Sequence, residues 1–294
     1  MKPDKIQALV EALPYMLKFQ GKKVLVKFGG SAMLTEEGME KFAQDVVVVH
    51  KTGMLPIVVH GGGPEISRAM ERMGKKARKV NGLRVTDSET MEIAEMVLVG
   101  KINSGLVSRI QRHGGKAVGI SGKADGMLQA TRMEPVKTKG PDGKQTMVDL
   151  GHVGEVSKVN PELVVLLSSN GFIPVISPLG VDSGGNSLNL NADTAAARMA
   201  AVVGAEKLVL MTDVPGVLKD PADASSVISR LRVREIGPMM EDGTISGGMI
   251  PKILASRDAL AAGVGSVHIL DGRLDHSLLL ELFTDEGIGT MIVP

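Results

Sequence analysis

Short apolar runs closed by glycine recur along the chain and predict its strands. The first is Val24-Leu25-Val26-Lys27-Phe28 with Gly29-Gly30 behind it; the second spans 55–60 and ends in His60-Gly61-Gly62-Gly63-Pro64. Further runs cover 116–121, 172–177, 206–211, 265–270 and 288–293. Runs this short and this rich in β-branched residues predict strands buried on both faces, as in a parallel sheet. Helical spacing between them predicts helices at 37–51, from Glu65, at 87–113 and at 161–170. An alanine-rich helix opened by Asn189-Leu190-Asn191-Ala192-Asp193 runs to about 203, and others follow near 230–242, 249–263 and 276–284. Strand, helix, strand in this order reads as βαβ units and an α/β fold.

Other stretches break the alternation. Residues 4–19 space Ile6, Leu9, Val10, Leu13, Met16 and Leu17 along one helical face, with a kink expected at Pro14. This helix precedes the first strand, and a partner surface or its own domain could cover its stripe. Asn81-Gly82 marks a hairpin within 76–86, and residues 126–157 read as hairpins with a turn at Pro141-Asp142-Gly143. Gly100 and Gly105 weaken an unbroken rod over 87–113. A lobe boundary is expected between 191 and 206.

Composition narrows the class. With 294 residues, 43% of them hydrophobic, the chain can bury a large core or two modest ones. A formal charge of +1 and 2% aromatic residues leave neither a basic footprint nor a stacking platform for nucleic acid. The absence of cysteine excludes disulfides, thiolate nucleophiles and cysteine-bound metal, and fits the cytoplasm. No signal-type apolar core and no bilayer-length apolar stretch is found, so no membrane role is expected. Eighteen methionines suit irregular core gaps.

The candidate chemistry lies where strands end. P-loop, HExxH, GxSxG and dinucleotide GxGxxG patterns are all missing. Lys27 ends a strand beside two glycines, where an open α/β sheet binds ligands. A cation beside bare backbone N–H groups suits phosphate. Three glycines entering a helix at 61–63 make a second anion site. Arg84 follows a hairpin turn, Lys252 follows Gly247-Gly248, and Asp193 lies in a helix's first turn. Each also has a plain reading as turn geometry, a cap or a solvated charge.

Together these motifs resemble the amino-acid kinase family over nearly the whole chain. The resemblance rests on Val-Lys-Phe-Gly-Gly at 26–30, His-Gly-Gly-Gly-Pro at 60–64 and Asn-Gly-Leu-Arg-Val-Thr at 81–86. It continues through Gly-His-Val-Gly at 151–154, Asn-Leu-Asn-Ala-Asp at 189–193, Thr-Asp-Val-Pro-Gly-Val at 212–217 and Gly-Gly-Met-Ile-Pro-Lys at 247–252. The resemblance implies a three-layer αβα sandwich around an open, mainly parallel sheet. The stretch at 81–86 points to the branch that phosphorylates the side-chain carboxylate of N-acetyl-L-glutamate with ATP, the second step of arginine synthesis. Lys27 and Lys252 would stabilise the transferring phosphoryl group and Asp193 would orient them. Gly62, Gly63, Arg84 and Asn189 would bind the acceptor; Gly29, Gly30, Thr212 and Asp213 would bind nucleotide. Mg²⁺ would travel on the ATP phosphates, with no metal site of the protein's own.

A regulatory layer is also implied. The N-terminal helix with Tyr15, and His268, Glu281 and Gly289 near the C-terminus, match the arginine-inhibited type. The expected division is residues 1–20 as an oligomerisation arm, 21–200 as the acceptor-binding and dimerising lobe, and 201–294 as the ATP and arginine lobe. The expected assembly is a homohexamer, a trimer of dimers. Two other readings stay open: a sister kinase for another carboxylate or for carbamate, aspartate, glutamate or uridylate, and a catalytically idle arginine sensor.

Overall fold

The computed structural model of the chain describes residues 3–139, 145–284 and 287–294. Among these residues eight strands form one sheet. Its order is Arg230–Arg232, Thr290–Val293, Ser266–Asp271, Lys207–Thr212, Lys23–Phe28, Leu55–His60, Ile173–Ser177 and Ala117–Ser121. Neighbours run parallel except where Thr290–Val293 meets Ser266–Asp271. The two strands at that end therefore run against the other six.

Side chains alternate between two cores. Leu25, Ile57, Val59, Leu208 and Leu210 enter one; Val24, Val26, Phe28, Val58, Val209 and Met211 enter the other. Burial on both faces explains the unbroken apolar runs. Helices Ala192–Val202 and Met249–Ala261 close the first core, while Glu36–Lys51 and the helical run from Ser88 to Arg112 close the second. The result is the αβα sandwich with a mainly parallel sheet. Strands Leu128–Arg132, Val153–Val159, Leu179–Val181 and Ser187–Leu190 close a small barrel beside it.

The hairpin at Asn81-Gly82 forms as read, with positive φ at both residues (49° and 81°). Several expectations need correction. Asn189 does not open a helix: it lies on the strand Ser187–Leu190, opposite Leu179 and Val153. Leu188 and Leu190 alternate inward with a period of two, and Asn191 is the residue that caps Ala192–Val202, accepting from the N–H of Asp193 and Thr194. Residues Arg230–Arg232 form an edge strand, and the helix starts only at Val233. The rod over 87–113 is helical, but Met96–Asn103 is a π-helix between α-helices Ser88–Glu95 and Ser104–Arg112. The helix expected from Glu65 begins at Gly63. The turn expected at Pro141-Asp142-Gly143 lies outside the described residues.

The N-terminal helix sets Tyr15, Met16 and Phe19 against the second core. Its other face leaves Val10, Leu13 and Leu17 exposed.

Candidate active site

Three charges meet at the carboxyl edge of the sheet. Lys27 sits one residue before the end of its strand and is buried. Asp193 lies in the first turn of Ala192–Val202, and Lys252 in the first turn of Met249–Ala261. Asp193 Oδ1 is 2.9 Å from Lys27 Nζ, and its Oδ2 accepts a hydrogen bond from Lys252 Nζ. Burial pushes the Asp193 carboxyl up, but the two ammonium groups win and hold it at about 2. One carboxylate thus anchors two cations from different parts of the chain. Gly29 is what makes room: a Cβ there would collide with Lys27 Nζ.

Glycine turns flank this cluster. Gly62 and Gly63 enter the helix Gly63–Arg72, and their N–H groups meet no acceptor among the described residues. Helix dipole and free donors point together there. Gly30, at φ 83°, passes so close to Asp213 that a Cβ would strike its carboxylate. Asp213 Oδ1 accepts from Ser31 N at 2.5 Å and Ser31 Oγ at 2.8 Å, tying the first glycine turn to the far end of the chain.

Arg84 supplies a second positive centre. It is buried, and burial lowers its pKa. Its Nη2 donates to Gly63 O at 2.5 Å and Ser67 Oγ at 2.8 Å, while Nη1 faces Met70 Sδ at 3.2 Å. A buried guanidinium held only by neutral groups is suited to a carboxylate. Asn189 Nδ2 donates to Thr86 Oγ1 at 3.3 Å beside it.

One cavity of about 380 Å³ gathers most of the expected residues. Lys27, Lys252, Asp193, Gly29, Gly30, Gly62, Gly63, Arg84, Asn189 and Asp213 all line it. Thr212 ends its strand, buried, and is not among the lining residues. The sequence offered no signal for Ser67 or Ser31, whose roles depend on partners far along the chain.

His268, Glu281 and Gly289 lie outside this cavity, around the strand Ser266–Asp271. His268 Nδ1 and Glu281 Oε1 are 2.5 Å apart, and Glu281 Oε2 accepts from Ile288 N at 2.9 Å. Gly289 passes so close to Ile269 O that a Cβ would collide with it. Lys207, which sequence reasoning missed, links this pair to the N-terminal helix: its Nζ stacks 4.6 Å above the Phe19 ring, and its charge reaches both His268 and Glu281. Tyr15 packs on the same core.

The model of the amino acid kinase family matches residues 22–271. The chain belongs to the amino acid kinase family. Its similarity to acetylglutamate kinase of Methanosphaera stadtmanae is 55% identity, over 98% of this chain and 97% of that one. To acetylglutamate kinase of Methanothermobacter thermautotrophicus it is 53%, over 98% of each. Among solved structures, the N-acetylglutamate synthase of Neisseria gonorrhoeae complexed with coenzyme A and N-acetyl-glutamate superposes with a TM-score of 0.83 at 27% identity. That match covers 98% of this family member but 63% of the synthase. Carbamate kinase of Giardia lamblia bound to AMP-PNP shares the fold, with a TM-score of 0.67 at 15% identity over 93% of this chain and 98% of that one.

Proposed function

We propose that the chain transfers the γ-phosphoryl group of ATP to the side-chain carboxylate of N-acetyl-L-glutamate, giving N-acetyl-L-glutamyl 5-phosphate. The reaction is the second step of arginine biosynthesis. The observation that carries this is the pair Lys27 and Lys252 on one Asp193 carboxylate, in a cavity shared with Arg84, which forms no ion pair among the described residues. Relatives at 50–55% identity over nearly their full length, all acetylglutamate kinases, support the choice of acceptor.

A carboxylate acceptor of glutamate type titrates near pH ~4.3, so it arrives ionised and needs no general base. The obstacle is repulsion between this anion and a polyanionic phosphate. Catalysis is therefore positioning and charge stabilisation. In this reading Arg84 holds the acceptor's α-carboxylate, Asn189 its acetylamino or carboxylate end, and the Gly62 and Gly63 N–H groups orient it. Gly29, Gly30, Asp213 and the nearby Thr212 face the nucleotide. Lys27 and Lys252 flank the moving phosphoryl group, and Asp193 fixes both ammonium groups before substrate arrives. In this reading Mg²⁺ is held mainly by phosphate oxygens and water, where it would neutralise charge on the triphosphate.

The same reading takes residues 1–20 as an oligomerising arm, 21–200 as the acceptor lobe and 201–294 as the nucleotide lobe. Exposed Val10, Leu13 and Leu17 suit an interlaced homohexamer. Arginine would bind beside Tyr15, His268, Glu281 and Gly289 and inhibit, its guanidinium taking up Glu281. No helix among the described residues is long and apolar enough to cross a membrane; we place the enzyme in the cytoplasm.

The test is trapping of the acyl phosphate with hydroxylamine, over a panel of acetylglutamate, glutamate, aspartate, carbamate and uridylate. Hydroxamate from acetylglutamate far above the others is expected. Preference for another acceptor, or no transfer, refutes the assignment. For regulation, a chain lacking residues 1–20 should lose both the hexamer and arginine inhibition.

A further inference from the structure

The cavity's second glycine turn is built from behind by groups that never reach it. We propose that His60 and Asn103 are positioning residues: Asn103 orients the buried His60 ring, and His60 fixes the Gly61 carbonyl so that the Gly62 N–H faces the acceptor. This rests on the reading of Gly62 and Gly63 as acceptor-binding groups.

His60 ends the strand Leu55–His60 and is wholly buried. Its Nδ1 lies 2.8 Å from the Gly61 carbonyl oxygen. A carbonyl offers only lone pairs, so Nδ1 must carry the hydrogen. Nε2 is then the bare nitrogen, and Asn103 Nδ2 donates to it at 3.2 Å. The same amide donates its other hydrogen to Val175 O at 2.8 Å. Both donors of Asn103 are committed, and the tautomer of His60 is fixed by its neighbours on each side. Burial holds the ring at about 4, and no charged side chain contributes to that shift. The ring is thus a constant, neutral donor across the neutral range.

Peptide geometry carries the effect to the cavity. The Gly61–Gly62 peptide is trans, so its C=O and N–H point in opposite directions. With the carbonyl drawn to His60, the Gly62 N–H points away from the core, on the side where Gly61, Gly62 and Gly63 line the cavity. Gly61 N–H donates to Phe28 O at 2.7 Å, which holds the turn from its other end.

The π-helix Met96–Asn103 is the template behind this turn. Its i→i+5 winding brings Leu98, Ile102 and Asn103 to one face. A Cβ on Gly62 would come within 2.5 Å of Leu98 Cδ2 and 2.7 Å of Ile102 Cδ1. Asn103 itself fits only because residue 119 is glycine: a Cβ there would strike its Oδ1. Two residues thus press on Gly62 while a third orients His60.

The experiment combines the tautomer with kinetics on the full chain. In protein labelled with ¹⁵N-histidine, the His60 ring should show a protonated Nδ1 and a bare Nε2 unchanged between pH 6 and 9. His60→Leu should lower kcat/KM for acetylglutamate about 10²-fold, with the KM for ATP within about 3-fold, since misplacing one donor has that scale. His60→Asn, whose Nδ2 stands where Nδ1 stood, should recover to within about 10-fold of wild type. A ring titrating near pH 6.5, equal losses on both substrates, or His60→Asn no better than His60→Leu would overturn the proposal. If His60→Leu does not fold, the tautomer and the His60→Asn kinetics decide. If wild type transfers nothing to acetylglutamate, the functional reading fails, while the ring's tautomer still tests His60.

Discussion

Asp193 and Glu281 are two buried carboxylates of nearly equal exposure, 6% and 7%. In both, burial raises the pKa and neighbouring cations or donors more than reverse it. They differ in what is left over. Glu281 spends Oε1 on His268 and Oε2 on Ile288 N, and the far nitrogen of His268 meets Ser266 Oγ at 2.8 Å. Asp193 holds two lysines, each with three donors, at the wall of a cavity. What sets the proposed catalytic cluster apart from the Glu281 pair is therefore not burial or charge pairing, but lysine donors at a cavity wall.

The sharpest break between the two sites is in turnover. Lys27→Ala should lower kcat about 10³-fold, the scale of losing one preorganised donor to a transition-state anion. Glu281→Gln should leave kcat without arginine within about 2-fold. Comparable losses in steady-state assays would erase the contrast. Arg84→Ala comes next. The KM for acetylglutamate should rise about 10²-fold while the KM for ATP holds, because a bidentate carboxylate contact is lost and no acid is orphaned. An effect confined to ATP would contradict the placement.

A third test concerns pH. His60 has a folded pKa of about 4 against 6.5 for the unfolded ring. A depressed histidine pKa means the unfolded chain binds the extra proton, so the stability is present above pH 6.5 and lost as pH falls towards 4. Between pH 7 and 5 wild type should lose about 2 kcal/mol more than His60→Asn, measured by denaturant unfolding at each pH. Equal slopes would mean the ring is not buried neutral. The smallest effect is at Glu281. Its lowered pKa gives stability that is present above the unfolded value near ~4.3 and lost as pH falls through the folded one. Glu281→Gln should cost about 1–2 kcal/mol at pH 7 by the same method.

The sequence made the sheet legible because strands buried on both faces are continuous apolar runs, as at 23–28, 55–60 and 207–212. Lys27, Gly29, Gly30, Gly62, Gly63 and Asp213 were legible because they sit at or just past the ends of those runs. What could not be read was short or depended on winding. Ser187–Leu190 is four residues long and runs into a helix cap, so its Asn189 and Asn191 looked alike. Arg230–Arg232 carries one buried residue, Leu231, which fits a helix equally well. The π-helix has the same apolar composition as an α-helix would, and only its hydrogen bonds show that Asn103 turns inward to His60. The tie from Asp213 to Ser31 spans 182 residues and leaves no local trace.

In the proposed mechanism two ammonium groups on one carboxylate neutralise a phosphoryl group passing between anions. Lys252→Ala tests it most directly, with the rate of hydroxylamine-trapped acyl phosphate measured at saturating ATP and acetylglutamate. A fall of about 10³-fold is expected, in a folded protein that still binds ATP. Trapping at the wild-type rate would contradict it.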